Sequence, residues 1–287
     1  MLVLAALLQA VPPPTLAERT GAFASPRVRE SSGLVVSRVH AGVLWTNNDS
    51  GDGPYLYATD TTGADLGARR VDGAEAVDWE DLSTGPCPRS DRQCLYVADT
   101  GDNQERRVSV TIYAVPEPAP PGGLADTTGS AGGTATLRLR YPDGAHDVEA
   151  IFVTPSGAVY LVTKGRTPPV RVFSVPRSAW SSSGVVTATA VQTLTIPLDR
   201  TNGALVTGAA LAPNGRSVAV RTYRTIYFYT LANDGRLAPA GACELGRLEP
   251  QGEAAAFLND STLILSSEAV VVPGPLHAVR CAFERPT

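Results

Sequence analysis

One pattern recurs five times along this chain, and it leaves few folds open. The stretch Ala145 to Val172 shows it most fully. A polar start, His146-Asp147-Val148-Glu149, runs into a short apolar strand, Ala150 to Val153. Pro155-Ser156-Gly157 makes a turn, a second strand from Ala158 to Val162 ends on Thr163-Lys164, and a third begins near Val170. Short β-rich runs separated by turn residues predict an antiparallel meander. Equivalent polar starts occur at Glu30, Asp78, Thr207 and Gln251, and each leads through a turn to a second and a third apolar strand. A period of roughly 55 residues suits a four-stranded propeller blade with its loops.

The expectation is therefore an all-β, five-bladed β-propeller. Six blades is the alternative, if another blade lies in the Pro/Gly-rich region 117–134. Fourth strands are expected at Leu66 to Val71, Thr136 to Arg140, Val191 to Ile196 and Cys243 to Leu248. The last repeat has no room for its own fourth strand, and an open blade would leave an unpaired edge. The N-terminal segment Phe23 to Val28 is expected to complete the fifth blade and close the ring; Pro26 suits an edge strand.

With 287 residues and 43% hydrophobic content, the chain suffices for one core. Residues 18–287 are read as a single domain. Residues 1–17 resemble the apolar part of a secretory signal that lacks its charged start, too short to span a membrane. This predicts an exported protein with no membrane span, and a monomer. The net charge of -4 gives no electrostatic reason to expect nucleic acid. Four cysteines in an exported chain favour two disulfides, Cys87 with Cys94 around a short polar insert and Cys243 with Cys281 in the last two repeats.

Antiparallel pairing brings the start of strand one and the end of strand two of every blade to one mouth of the channel. Residues opening strand one include Glu30, Asp78 and Asp147. Two positions on, along the same face, come Ser32, Glu80, Glu149, Ala209 and Glu253. Residues closing strand two, with the loops beyond, add Asn48, Asp49, Asp99, Asp102, Lys164, Arg221 and Glu268. Carboxylates crowded on one axis cannot all ionise uncompensated. A divalent cation, the cations Lys164 and Arg221, or shared protons can compensate them. Oxygen-only ligands favour Ca2+ or Mg2+. The expected metal ligands are Glu30, Glu80, Asp99, Glu149 and Glu253. Asn48, Asp49, Asp102 and Glu268, with the indoles of Trp45 and Trp79, would bind a small polar ligand.

The segments SSGLVVSRVHAGVLWTNNDSGD, VDWEDL, LYVADTGDN, IYAVPEP, HDVEAIFVTPSGAVYLVTK and QGEAAAF together resemble a group of secreted bacterial propellers. They are similar to the "esterase-like activity of phytase" family and, more distantly, to calcium-dependent propellers of the gluconolactonase/SMP-30 type. The resemblance implies a propeller fold over nearly the whole mature chain and metal ligands at residues such as Glu30 and Asp99. Three functions stay open. The first is an exported binding module with a cation-loaded acidic mouth. The second is a metal-assisted hydrolase of phosphoesters, esters or lactones, in which Asp147 or Glu149 is the base and Lys164 with Arg221 stabilises the anion. The third is a protein-interaction propeller.

Overall fold

Each β-branched or aromatic run pairs with its neighbour in sequence, so the chain builds sheets in order. The computed structural model describes residues 11–122, 130–197, 203–270 and 273–286. After β1 (Leu16–Ala22), blade one holds β2 (Ser31–Val36), β3 (Leu44–Asn48), β4 (Tyr55–Thr59) and β5 (Ala68–Val71). Blade two holds β6 (Trp79–Pro86), β7 (Gln93–Asp99), β8 (Val110–Pro116) and, after β9 (Ser130–Ala131), β10 (Ala135–Arg140). Blade three holds β11 (Val148–Val153), β12 (Val159–Thr163), β13 (Val170–Val175) and, after β14 (Val186–Thr187), β15 (Thr189–Leu194). Blade four is β16 (Val206–Leu211), β17 (Ser217–Thr222), β18 (Thr225–Leu231) and β19 (Leu237–Glu244). Blade five is β20 (Gly252–Asn259), β21 (Thr262–Ser267) and β22 (Pro275–Arg280), completed by β1.

The described residues thus form a five-bladed propeller rather than a six-bladed one. The region 117–134 contributes β9, which runs parallel to β5 on blade one; residues 123–129 of that region lie outside the described residues. A buried apolar cluster fills every gap between blades. Trp45, Leu56 and Val71 meet Trp79, Leu95 and Val97 between blades one and two. Phe23, Val28, Leu34 and Leu44 meet Ala254, Ile264 and Leu276 between blades five and one.

The N-terminus does close the ring, but with Leu16–Ala22 rather than Phe23 to Val28. Leu16 pairs with Arg280 and Ala22 with Pro275. Four of the seven residues of β1 are exposed and none is buried. An outermost strand has one face in water, so its sequence, LAERTGA, carries little apolar signal. Phe23 and Val28 are instead core side chains, 3% and 5% exposed, on either side of a turn in which Val28 N–H bonds Ser25 O. Close approach explains two glycines here. A Cβ on Gly21 would lie 1.9 Å from Thr62 O, and one on Gly63 would lie 2.0 Å from Ala22 O. The edge strand and the blade-one turn need glycine on both sides.

The other displaced strand is β19, which starts at Leu237 and ends at Glu244 rather than running from Cys243 to Leu248. A tight turn at Asn233-Asp234-Gly235, closed by Gly235 N–H to Ala232 O, fixes the hairpin register immediately after β18. Both expected disulfides are formed. Cys87–Cys94 closes the polar insert, and Cys243–Cys281 ties β19 to the tail that follows β22. Among the described residues no helix is long and apolar enough to cross a membrane.

Candidate functional site

Simple strand alternation would send Glu80, Glu149 and Glu253 toward a neighbouring blade. A β-bulge near the start of every first strand prevents this. The pairing with strand two slips between Ser31 and Leu34, Trp79 and Leu82, Val148 and Ala150, Val206 and Gly208, and Gly252 and Ala255. A bulge inserts a residue and re-aims its side chain. The skipped positions include Ser32, Glu80, Glu149, Thr207 and Glu253. In blade four the bulge residue is therefore Thr207. Ala209, expected to correspond, belongs to the core between blades three and four.

Groups at the end of strand two then tether each blade to the next. Asn47 Nδ2 donates to Trp79 O at 3.2 Å, and Thr100 Oγ1 donates to Val148 O at 2.8 Å. Val206 N–H donates to Lys164 O at 2.9 Å. Arg221 Nη1 donates to Ala254 O at 2.5 Å, and Ser31 Oγ to Ser266 Oγ at 2.9 Å. The ring of tethers fixes the five first-strand starts around one mouth.

At that mouth two carboxylate triads meet. One oxygen each from Asp49, Asp78 and Glu80 lie within 4.8 Å of one another, and the same holds for Glu80, Asp147 and Glu149. Glu80 belongs to both. Glu80, Asp147 and Glu149 are buried, whereas Asp49 and Asp78 are half-buried. Lys164 Nζ donates to Glu149 Oε1, and Ser32 Oγ lies 3.4 Å from Glu80 Oε2. Room for the cluster depends on Gly101: a Cβ there would lie 2.1 Å from Glu80 Oε1 and 2.5 Å from Asp78 Oδ2.

The electrostatics follow from burial. Burial pushes Glu80 well above the usual carboxylate range, and the charges of Glu149 and Asp49 add to it. Burial lifts Glu149 to about 7, with Lys164 pulling against it and Asp147 reinforcing it. Asp78 rises to about 6 through burial and Asp49, and Glu268 to about 7 through burial, Asp49 and Glu30. Glu253 is raised by burial, Glu149 and Glu268. Burial alone would lower Lys164; the carboxylate of Glu149 outweighs it and raises the ammonium above its usual value. Near neutral pH the cluster therefore holds protons or needs a cation.

Not every expected residue arrives here. Glu30 is exposed at the rim, close enough to act on Glu268. Asp99 is taken: it bonds Arg107 Nη2 at 2.9 Å and accepts Asp78 N–H at 3.2 Å. Asn48 ties the loop after β3 to the segment before β2, accepting the N–H groups of Arg29 and Glu30 and donating to Asp52. Asp102 uses Oδ2 for Arg107 N–H and its own N–H for Asp147 Oδ1. Trp45 and Trp79 are core residues, 0% and 1% exposed, with their indole N–H groups on Glu117 Oε1 and Glu75 O; neither offers a ring to a ligand. Arg221 is sealed at 0% exposure and pairs with Glu249, which also meets His277 Nδ1 at 3.2 Å. Its guanidinium fastens blade four to blade five, so an anion at the mouth is left to Lys164.

Two further residues matter that strand alignment passed over. Tyr223, in the turn after β17, is raised by burial and by Glu253, with Lys164, Glu149 and Glu268 also acting on it. Asp81, 1% exposed, accepts the N–H groups of Leu82, Ile151 and Ala209, joining the first strands of blades two, three and four. Asp81 was legible as part of the acid-rich run Asp78-Trp79-Glu80-Asp81; nothing local marks Tyr223. At the other end of the first strands, a separate cavity of about 410 Å3 is lined by residues such as Val36, Pro86, Val153 and Phe257. It lies away from the carboxylates.

No family model matches the sequence. No curated protein matches it either. The resemblance to phytase-like proteins thus gains no support from sequence comparison. Solved structures similar to this chain include a glucose dehydrogenase, at 12% identity over 93% of this chain and 99% of that one, with a TM-score of 0.50. They also include the PQQ-bound aldose sugar dehydrogenase of Streptomyces coelicolor, at 13% identity, 93% and 99% coverage and a TM-score of 0.48. A gluconolactonase of Xanthomonas campestris shows 12% identity, 95% coverage of both chains and a TM-score of 0.48. At such identities the likeness concerns the β-propeller fold alone.

Proposed function

We propose that the protein is an exported binding module whose acidic channel mouth holds a divalent cation, Ca2+ or Mg2+, and through it a small polar, oxygen-bearing ligand. The observation that carries this reading is the pair of carboxylate triads sharing Glu80. The donor set is all oxygen, as hard cations require. Two ligands bound at about 2.3–2.6 Å from one ion stand up to about 5 Å apart, and the triad oxygens lie within 4.8 Å. The buried Asp147 Oδ2 has no hydrogen-bond partner among the described residues, so a donor remains for an ion.

A second reading is metal-assisted hydrolysis of a phosphoester, ester or lactone. It is favoured by the same partnerless oxygen of Asp147, which can accept a proton, beside the cation Lys164. A bound cation would supply polarisation of a substrate oxygen and a more acidic water. The chain's own part would be to hold a proton at Asp147 or Glu149 and to balance developing negative charge with Lys164.

Calcium should raise the melting temperature of the full chain, because it binds the folded mouth and not the open chain; a hundredfold excess over Kd is worth about 2.7 kcal/mol. Glu149→Gln should shrink that shift and the exposed Asp234→Asn should leave it intact. No shift with either ion, together with a blank metal analysis, would overturn the reading and leave a protein-interaction scaffold in its place.

A further inference from the structure

Resting on that reading, we infer that the mouth holds two cations rather than one: a buried inner ion among Glu80, Asp147 and Glu149, and an exchangeable outer ion among Asp49, Asp78 and Glu80. Glu80 bridges them.

Two sets of oxygens converge separately, and Glu80 is the one residue they share. A carboxylate has two oxygens and about four lone-pair directions, so one side chain can serve two ions. Lys164 donates to Oε1 of Glu149, and a side-chain hydrogen bond joins the carboxyls of Glu149 and Glu80; an ion at the inner triad would take the place of that shared proton.

The inner position has its own evidence. Asp147 is 1% exposed, and its Oδ1 accepts Asp102 N–H at 2.9 Å. Its Oδ2 has no hydrogen-bond partner among the described residues; the nearest recorded cation is Arg166 Nε at 4.0 Å. Leaving a buried carboxylate oxygen unpaired is costly. An ion at the inner triad removes that cost.

The outer position is a prepared space. Gly101 is buried in the loop beyond β7, and any larger residue would collide with Glu80 Oε1 and Asp78 Oδ2. The loop thus leaves open the volume in which these two carboxylates meet Asp49. Charge points the same way. Five carboxylates make up the two triads, and Glu253 and Glu268 stand beside them. The positive side chains acting on this set are Lys164 on Glu149, Arg166 at the edge of Asp147, Arg107 on Asp78 and Arg221 on Glu253, and the last two are already paired with Asp99 and Glu249. One dication leaves a clear negative excess; two nearly cancel it.

Burial separates the roles. The inner triad is sealed on all three members, so its ion serves the fold. The outer triad has two half-exposed members, so its ion meets solvent and receives the ligand.

The test is calcium stoichiometry on the full chain, by metal analysis and calorimetric titration. Two ions per chain are expected, falling to one after brief exposure to chelator. Asp49→Asn and Gly101→Ala should each leave one ion, and Glu149→Gln should remove the slowly exchanging one. Should Gly101→Ala fail to fold, Asp49→Asn alone decides the outer position. A single ion in the unaltered protein overturns this inference and leaves the proposed function standing, whereas none overturns both. Asp49→Asn that still binds two ions, or binds none, overturns the division into inner and outer positions.

Discussion

The carboxylate of Asp81 in blade two accepts the backbone N–H of Ile151 in blade three at 2.9 Å. The same oxygen accepts Ala209 N–H of blade four at 3.2 Å. First strands pair on one edge only, so their other edge presents backbone groups to the channel. Asp81 satisfies two of them where water is excluded.

Asp81→Ala should therefore be severely destabilising. Burial pushes the Asp81 carboxyl well above the usual carboxylate range, so the cost is that of the orphaned groups, about 1–3 kcal/mol for each buried N–H left without its acceptor. We expect a loss of roughly 3–5 kcal/mol in denaturant unfolding. Asp81→Asn, which keeps one acceptor oxygen, should lose less. A loss below about 1 kcal/mol for the alanine variant would mean that the first strands are held without Asp81.

The acidic mouth predicts the pH dependence. Glu149 and Glu268 rise to about 7 and Asp78 to about 6, all above their usual values. A carboxyl whose pKa is raised by folding binds more protons in the folded than in the unfolded state. Stability from this source is full below the unfolded pKa and is lost as pH rises through the folded value. Without divalent ions, the melting temperature should fall between about pH 4.5 and about 7. Saturating calcium should flatten or reverse that slope, since the ion favours the ionised carboxylates. A melting temperature that rises through this window without ions would show that these acids are already ionised and paired.

Ring closure should rest on β1 and on the disulfide beside it. Removing residues up to Ala22 uncovers the edge of β22, and the truncated chain should melt lower and self-associate. Cys243–Cys281 spans 38 residues and Cys87–Cys94 spans 7. In the chain-entropy model these loops correspond to about 4 and about 2.5 kcal/mol. Replacing Cys243 and Cys281 by serine should thus cost more than replacing Cys87 and Cys94. Equal melting temperatures for the two double variants would refute this ordering.

The sequence by itself determined the blade repeat, with five blades favoured over six, the first three strands of each blade and the favoured cysteine pairs. Those features are local: apolar runs, turn residues between them, and a period that repeats. It also placed the strand ends that carry Glu80, Glu149, Glu253 and Lys164 at one mouth, since antiparallel pairing brings those ends together, while the bulges aim the three glutamates. The tertiary structure decided the rest. Strand β1 is polar because its outer face meets water, so its place is set by β22 and by the Gly21–Thr62 approach. The repeat alignment put Asp49 and Asp78 at the mouth, but their convergence with Glu80 in one triad is set by loop conformation, which no periodicity encodes. Trp45, Trp79, Asp99 and Arg221 lie near the mouth in sequence alignment yet are drawn into the core or into ion pairs. Their direction depends on five bulges and on partners such as Arg107 and Glu249, from remote segments or neighbouring loops. Which side chains face a channel is a property of register and packing between blades, and only the closed ring fixes it.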